Sequence, residues 1–133
     1  MSEMITVVLV EPQKKARVVE FEHTLENMQK LVGGFIEAFY PFEDEVAIIC
    51  NDEGKIDGMP FNRAIREEDS NEIMDIVAGP FFVCGLTEDN FGSLTEEQQR
   101  KYLELFRYPE RFVCIDTDIL ATKYDPAKED KSR

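Results

Sequence analysis

The chain has 133 residues, 43% of them hydrophobic and 32% charged, which suits one folded domain with a single core. Its 28 acidic and 15 basic residues leave a net charge of -13, a field that repels nucleic-acid phosphates and disfavours direct binding of DNA or RNA. No apolar run approaches the roughly 20 residues of a membrane span, and "MSEMITVVLV" lacks the basic region and cleavage site of a signal peptide, so no membrane association and a cytoplasmic location are expected.

In chain order, "MITVVLV" (4–10) and "RVVEFE" (17–22) are β-branched, apolar runs separated by Pro12 and two lysines, and they are expected to pair as an antiparallel hairpin. Thr24 then caps a helix whose apolar face carries Leu25, Met28, Leu31 and Val32. Gly33 and Gly34 end that helix, with Gly34 expected to take the left-handed conformation. "FIEAFYPF" (35–42) reads as a strand closed by Pro41, and "EVAIIC" (45–50), apolar on both faces, as a central one. Residues 72–78, "EIMDIVA", suit a short helix or a lead-in to the strand "PFFVCG" (80–85). "SLTEEQQRKYLELFRYP" predicts the clearest helix, over 93–107. Ser93 or Thr95 caps it, Glu96 or Gln98 completes a capping box, and Pro109 stops it. The sum is one α+β domain over residues 1–123: an antiparallel or mixed sheet of about five strands with two main helices packed on it. A loose C-terminal tail is expected over 124–133.

The polar stretch Asn51 to Arg66, "NDEGKIDGMPFNRAIR", invites a chemical reading. As a calcium loop begun at Asp52 it puts Gly54 and Ile56 where oxygen ligands are needed. As a phosphate loop it has no hydroxyl residue after Gly54-Lys55. It therefore reads as a hairpin turn with a bulge, Gly54 supplying positive φ, followed by a short helical turn capped by Asn62, that presents Asn62, Arg63 and Arg66. Two arginines can clamp a carboxylate or phosphate; alternatively they pair with Glu67, Glu68 and Asp69. The segment "VGGFIEAFY" offers a second surface, where Gly33 and Gly34 permit close backbone approach beside Phe35, Phe39 or Tyr40, unless the glycines serve only as the helix cap. Glu37 interrupts an apolar strand, and either acts as a buried acid or base or points to solvent by alternation.

Cys50, Cys84 and Cys114 each lie in an apolar run and are expected in the core. With His23 as the single histidine and no CxxC pair, a zinc site lacks its usual ligands, and neither metal nor cofactor is implied. No nucleophile or metalloprotease motif is present, so no catalytic residue is assigned.

The runs "TLENMQKLVGGFIEAFYPF", "ICNDEGKIDGMPFNRA", "IVAGPFFVCG" and "SLTEEQ" together resemble DUF family 3846, small acidic proteins of unknown function encoded by phages and conjugative elements of bacteria, over roughly residues 4–107. The resemblance implies an accessory or anti-defence role inside the bacterial host and carries no catalytic residues. The leading expectation is a non-catalytic protein that binds a host protein, one with a basic, nucleic-acid-binding face, through its acidic surface. The alternatives are a module that sequesters a small anionic ligand such as a nucleotide signal, in a pocket between Gly33-Gly34 and Asn62, Arg63 and Arg66, and an enzyme using an acidic pair.

Overall fold

The computed structural model describes residues 3–130. Strand β1 (Met4–Val10) turns into β2 (Arg17–Glu22) as an antiparallel hairpin, with Ile5 opposite Phe21 and Val7 opposite Val19. Helix α1 (Leu25–Val32) follows. The Thr24 hydroxyl accepts from the Asn27 N–H, as its cap position dictates. The helix ends where Gly33 turns left-handed at φ 80°, and the N–H groups of Gly33 and Gly34 both donate to Gln29 O. The left-handed residue is thus Gly33 and not Gly34.

Strand β3 (Ile36–Phe39) pairs with β4 (Val46–Asn51), which pairs in turn with β7 (Phe81–Leu86). The sheet runs in the order β2-β1-β7-β4-β3, with the two-residue β8 (Phe91–Gly92) on β7. β4 is an interior strand, as its two apolar faces require, while β7 holds the middle.

Alternation along these strands splits the core into two layers. Val7, Leu9, Ala47, Ile49 and Phe82 face α1 and bury Met28 and Val32. Val8, Val10, Ile48, Phe81 and Val83 face the other way. That second face is covered by helix α2 (Glu96–Leu105), through Tyr102, and by a separate antiparallel hairpin of β5 (Phe61–Arg66) and β6 (Ile73–Ala78), through Ile65 and Val77. Each such fully buried apolar side chain contributes about 1.5–3 kcal/mol. Thr95 and Gln98 form the capping box of α2, which settles the two choices left by the sequence.

Several expectations change here. Among the described residues, ten strands in three sheets stand where about five in one were expected, although two main helices and an antiparallel sheet are present. Residues 73–78 are a strand, not a helix. The stretch after Asn51 is not a hairpin turn, because β4 does not pair with β5; it crosses from the main sheet to the second one. Asn62 and Arg63 lie inside β5, so no helical turn presents them. Both are buried, at 1% and 0% exposure.

Their polar atoms tie segments together. Asn62 Nδ2 donates to Val10 O and Gly79 O, each at 2.9 Å. The Arg63 guanidinium donates to Phe106 O at 2.9 Å, Lys14 O at 2.7 Å and Asn62 Oδ1 at 2.8 Å. Phe106 is the C-terminal cap of α2, where free carbonyls favour a cation. The sequence neighbours Glu67, Glu68 and Asp69 are not the partners of Arg63.

A third hairpin, β9 (Glu110–Ile115) with β10 (Asp118–Lys123), is one that the sequence reading did not anticipate. Phe112 on β9 packs edge-on against Phe61, with ring centroids 5.5 Å apart. Cys114, expected in the core, is exposed on this hairpin, whereas Cys50 and Cys84 are buried. The start of the tail is held: Tyr124 N–H donates to Pro109 O, Asp125 pairs with Lys15 at 3.7 Å, and a short helix α3 (Pro126–Asp130) follows. The tail's residues 131–133 lie outside those described.

Candidate functional site

Where α2 crosses the β5–β6 and β9–β10 hairpins, a cleft of about 400 Å³ opens. Its floor is aromatic. The Tyr102 and Phe106 rings come from the buried side of α2, and Phe42, which follows β3, stacks at 5.2 Å from Tyr102 and 6.4 Å from Phe106. Positions four apart, Tyr102 on the helix and Phe106 at its cap, share one face and supply this floor, while the polar side of the same helix supplies Lys101 and Glu104 to the wall.

Arg66 enters from the end of β5 and Glu110 from the start of β9. Their side chains meet at 3.4 Å, with the Glu110 carboxylate only 3% exposed; the same oxygen accepts from Ala64 N–H, and Arg66 also donates to Ala121 O. A carboxylate this buried needs those donors. At the mouth, Asp44 Oδ2 accepts from Lys101 Nζ at 2.7 Å and from the Tyr102 hydroxyl at 2.8 Å. The Lys101 ammonium also sits 5.3 Å from the Tyr102 ring centroid, a cation–π distance.

The electrostatics follow from these contacts. Hydrogen bonds from Lys101 and Tyr102 hold the Asp44 carboxyl below its ordinary value. The Asp44 hydrogen bond, together with attraction to Asp44, Glu68 and Glu97, holds Lys101 above its own. Burial first, then the Asp44 bond and the charges of Asp44 and Glu68, push the Tyr102 phenol up.

A second cleft of about 360 Å³ lies between β4, the turn after it and β6. Cys50 lines it, its thiol pushed up to about 11 by burial and then by Glu37, Asp75 and Asp52. A thiol so raised is protonated at neutral pH and a poor nucleophile. Glu37 is exposed, as strand alternation required, and Lys55 pairs with Asp75 at 2.8 Å. Among the described residues no group of three or more His, Cys, Asp or Glu is placed to hold a metal ion, and no helix is long and apolar enough to cross a membrane.

Of the ligand-binding candidates singled out from sequence, Arg66 lines the aromatic cleft, beside Glu67 and Glu68 of its expected acidic neighbours. A Cβ added at Gly33 would meet Met59, and one at Gly34 would meet the Asn51 side chain. Phe35 and Tyr40 stand in solvent, at 69% and 59% exposure. Asn62 and Arg63 have their donors spent within the fold. The pocket that was to unite Gly33-Gly34 with Asn62, Arg63 and Arg66 is therefore not formed. Asp44, Lys101, Glu110 and Lys123 carry no signal of a site in the sequence, and Tyr102 reads there only as an apolar helix position, because only the packing of α2 and two hairpins brings them together.

A family model described as "Domain of unknown function (DUF3846)" matches residues 5–107. The match covers the main sheet, both main helices and the β5–β6 hairpin, and stops short of β9–β10. No curated protein and no solved structure matches the chain.

Proposed function

The chain belongs to the DUF3846 family, and from that premise we propose that it is a non-catalytic binding protein that engages a basic host protein through its acidic surface, with the aromatic cleft as the anchor point. The setting implied by the family resemblance, phages and conjugative elements, makes that partner a nucleic-acid-binding component of host defence, for which this protein competes with DNA or RNA. The observation that carries the reading is the mouth of the cleft. Asp44 accepts there from Lys101 and Tyr102, which both line the cleft, and the hydrogen bond from Lys101, ahead of the charges of Asp44, Glu68 and Glu97, raises Lys101. An aromatic floor under a carboxylate rim is the chemistry that receives arginine and lysine side chains.

Opposite charges across an interface speed encounter and are screened by salt. A basic probe peptide, titrated by fluorescence anisotropy, should therefore lose at least about tenfold in affinity between about 50 and 500 mM salt. An affinity that does not change with salt would refute the electrostatic reading.

A second reading has its own support. Arg66, Lys101 and Lys123 bring three cations to the cleft wall, an arrangement that suits a small anion of nucleotide class. Heating the purified protein after incubation with a pool of cellular nucleotides separates the two. An intact nucleotide released in stoichiometric amount favours sequestration, an altered one favours an enzyme, and none favours the protein partner.

A further inference from the structure

The contact at the mouth of the cleft is an internal mimic of binding. Lys101 is half-exposed, yet its ammonium makes the two contacts that an incoming cation would seek: a carboxylate oxygen at 2.7 Å and an aromatic face at 5.3 Å. Asp44 is oriented for the role from its other side, because Tyr102 donates its hydroxyl to the same oxygen at 2.8 Å. Tyr102 is fully buried, so its hydroxyl is fixed by packing against Phe42 and the core and does not swing with solvent. The Asp44 acceptor is thus preformed, while the lysine that occupies it is held by an ion pair of an exposed and readily exchanged kind.

The other cations of the cleft are differently placed. Arg66 is bound to the buried Glu110 and to Ala121 O, deep in the wall, and cannot leave without stranding a buried charge. Glu68, which also lines the cleft, accepts from Glu43 N–H and adds its charge to that of Asp44 on Lys101. A second cation reaching this point therefore finds the Asp44 carboxylate, the Tyr102 ring beside it and one exposed competitor, Lys101.

We infer that Asp44 and Tyr102 form a cation-recognition point that Lys101 fills in the free protein, and that an arginine or lysine side chain of the basic partner displaces Lys101 on docking. This rests on the reading of the protein as a binder of basic partners and names where the partner's charge goes. Lys101 then acts as a tethered competitor that lowers affinity for single stray cations and yields to a partner that brings several.

The test uses the full chain and an octa-arginine peptide as probe. Lys101→Met removes the competitor and should tighten binding by about three- to fivefold, in line with the small free energy of an exposed ion pair. Lys55→Met makes the same change in net charge at the second cleft and should tighten it by less than about twofold, since its distance from the mouth leaves only a screened effect. Asp44→Asn should weaken binding, and in the Asp44→Asn/Lys101→Met pair the gain from losing Lys101 should shrink to that of Lys55→Met. Equal gains from Lys101→Met and Lys55→Met, or a gain that stays about three- to fivefold without the Asp44 charge, would overturn the displacement while leaving a basic-partner binder intact. Failure of wild type and every variant to bind the peptide at low salt would overturn both readings together. Melting curves of each variant, expected within a few degrees of wild type, separate loss of binding from loss of fold.

Discussion

Arg63 shows how far one residue's role can depart from its local look. In the sequence it stands in a polar run after a glycine-rich turn, beside Asn62, and reads as a presented cation. In the fold it is fully buried and its donors all go to carbonyl oxygens, so burial holds the guanidinium down to about 10. Arg63→Met should therefore cost about 2–4 kcal/mol, because Phe106 O, Lys14 O and Asn62 Oδ1 lose their donor in a dry place. A thermal melt would show it as a clear drop; a wild-type melting temperature would mean these carbonyls find other partners and the arginine is free for a ligand. Gly33 and Gly34 differ in mechanism. Gly33→Ala should cost about 1 kcal/mol through its positive φ, whatever surrounds it. Gly34→Ala should cost as much only while Asn51 is present, since the new Cβ would lie 2.7 Å from Asn51 Nδ2, which donates to Val32 O. In an Asn51→Ala background the Gly34 penalty should disappear and the Gly33 penalty remain; the reverse would contradict this assignment. The cap at Thr24 and the glycine pair were legible because capping is a local interaction, while the inward turn of Asn62-Arg63 is decided by strands far away in sequence.

At the scale of elements, β4 and β7 were legible as strands because both are apolar throughout and short. Their central place has a consequence for pH. Burial raises the Cys50 thiol to about 11 and the Cys84 thiol to about 12, against 9.0 unperturbed. Above pH 9 the unfolded chain ionises these thiols and the folded chain does not, so the unfolded state binds fewer protons and stability falls as pH rises. Each thiol should cost about 1.4 kcal/mol by about pH 10, and more beyond it. The raised Tyr102 phenol adds to the loss above its ordinary range, and Arg63 opposes it above about 10, so the window from about pH 8 to 10 is the cleanest. Denaturation midpoints across that window should fall in wild type and fall about half as steeply in Cys84→Ala; a flat wild-type profile would contradict the burial of both thiols. The β5–β6 and β9–β10 hairpins were not legible. β6 carries Asp75 within an apolar run that suits helix or strand equally. The turn of β9–β10 uses Asp116 at a φ of 54° where an Asn-Gly or Asp-Gly pair would have marked it. The candidate cleft depends on those two hairpins, which is why its residues did not stand out.

Over the whole molecule, the net charge of -13 was the one functional signal already present in the composition. The fold gives it a location. Glu67, Glu68 and Glu104 line an aromatic cleft built within the matched family region from Phe42, Arg66 and α2, and completed beyond that region by Glu110 and Lys123 of the β9–β10 hairpin. If that location is the binding surface, charge removed there must matter more than the same charge removed elsewhere. The direct measurement is a titration of octa-arginine into Glu67→Gln/Glu68→Gln, at the cleft, and into Glu20→Gln/Glu22→Gln, exposed on β2. Both variants lose two charges, and glutamine keeps the hydrogen bond from Glu43 N–H to residue 68. The cleft pair should lose about tenfold in affinity and the β2 pair less than about threefold. Equal losses would mean that the peptide reads only net charge, and that the cleft is not where a basic partner docks.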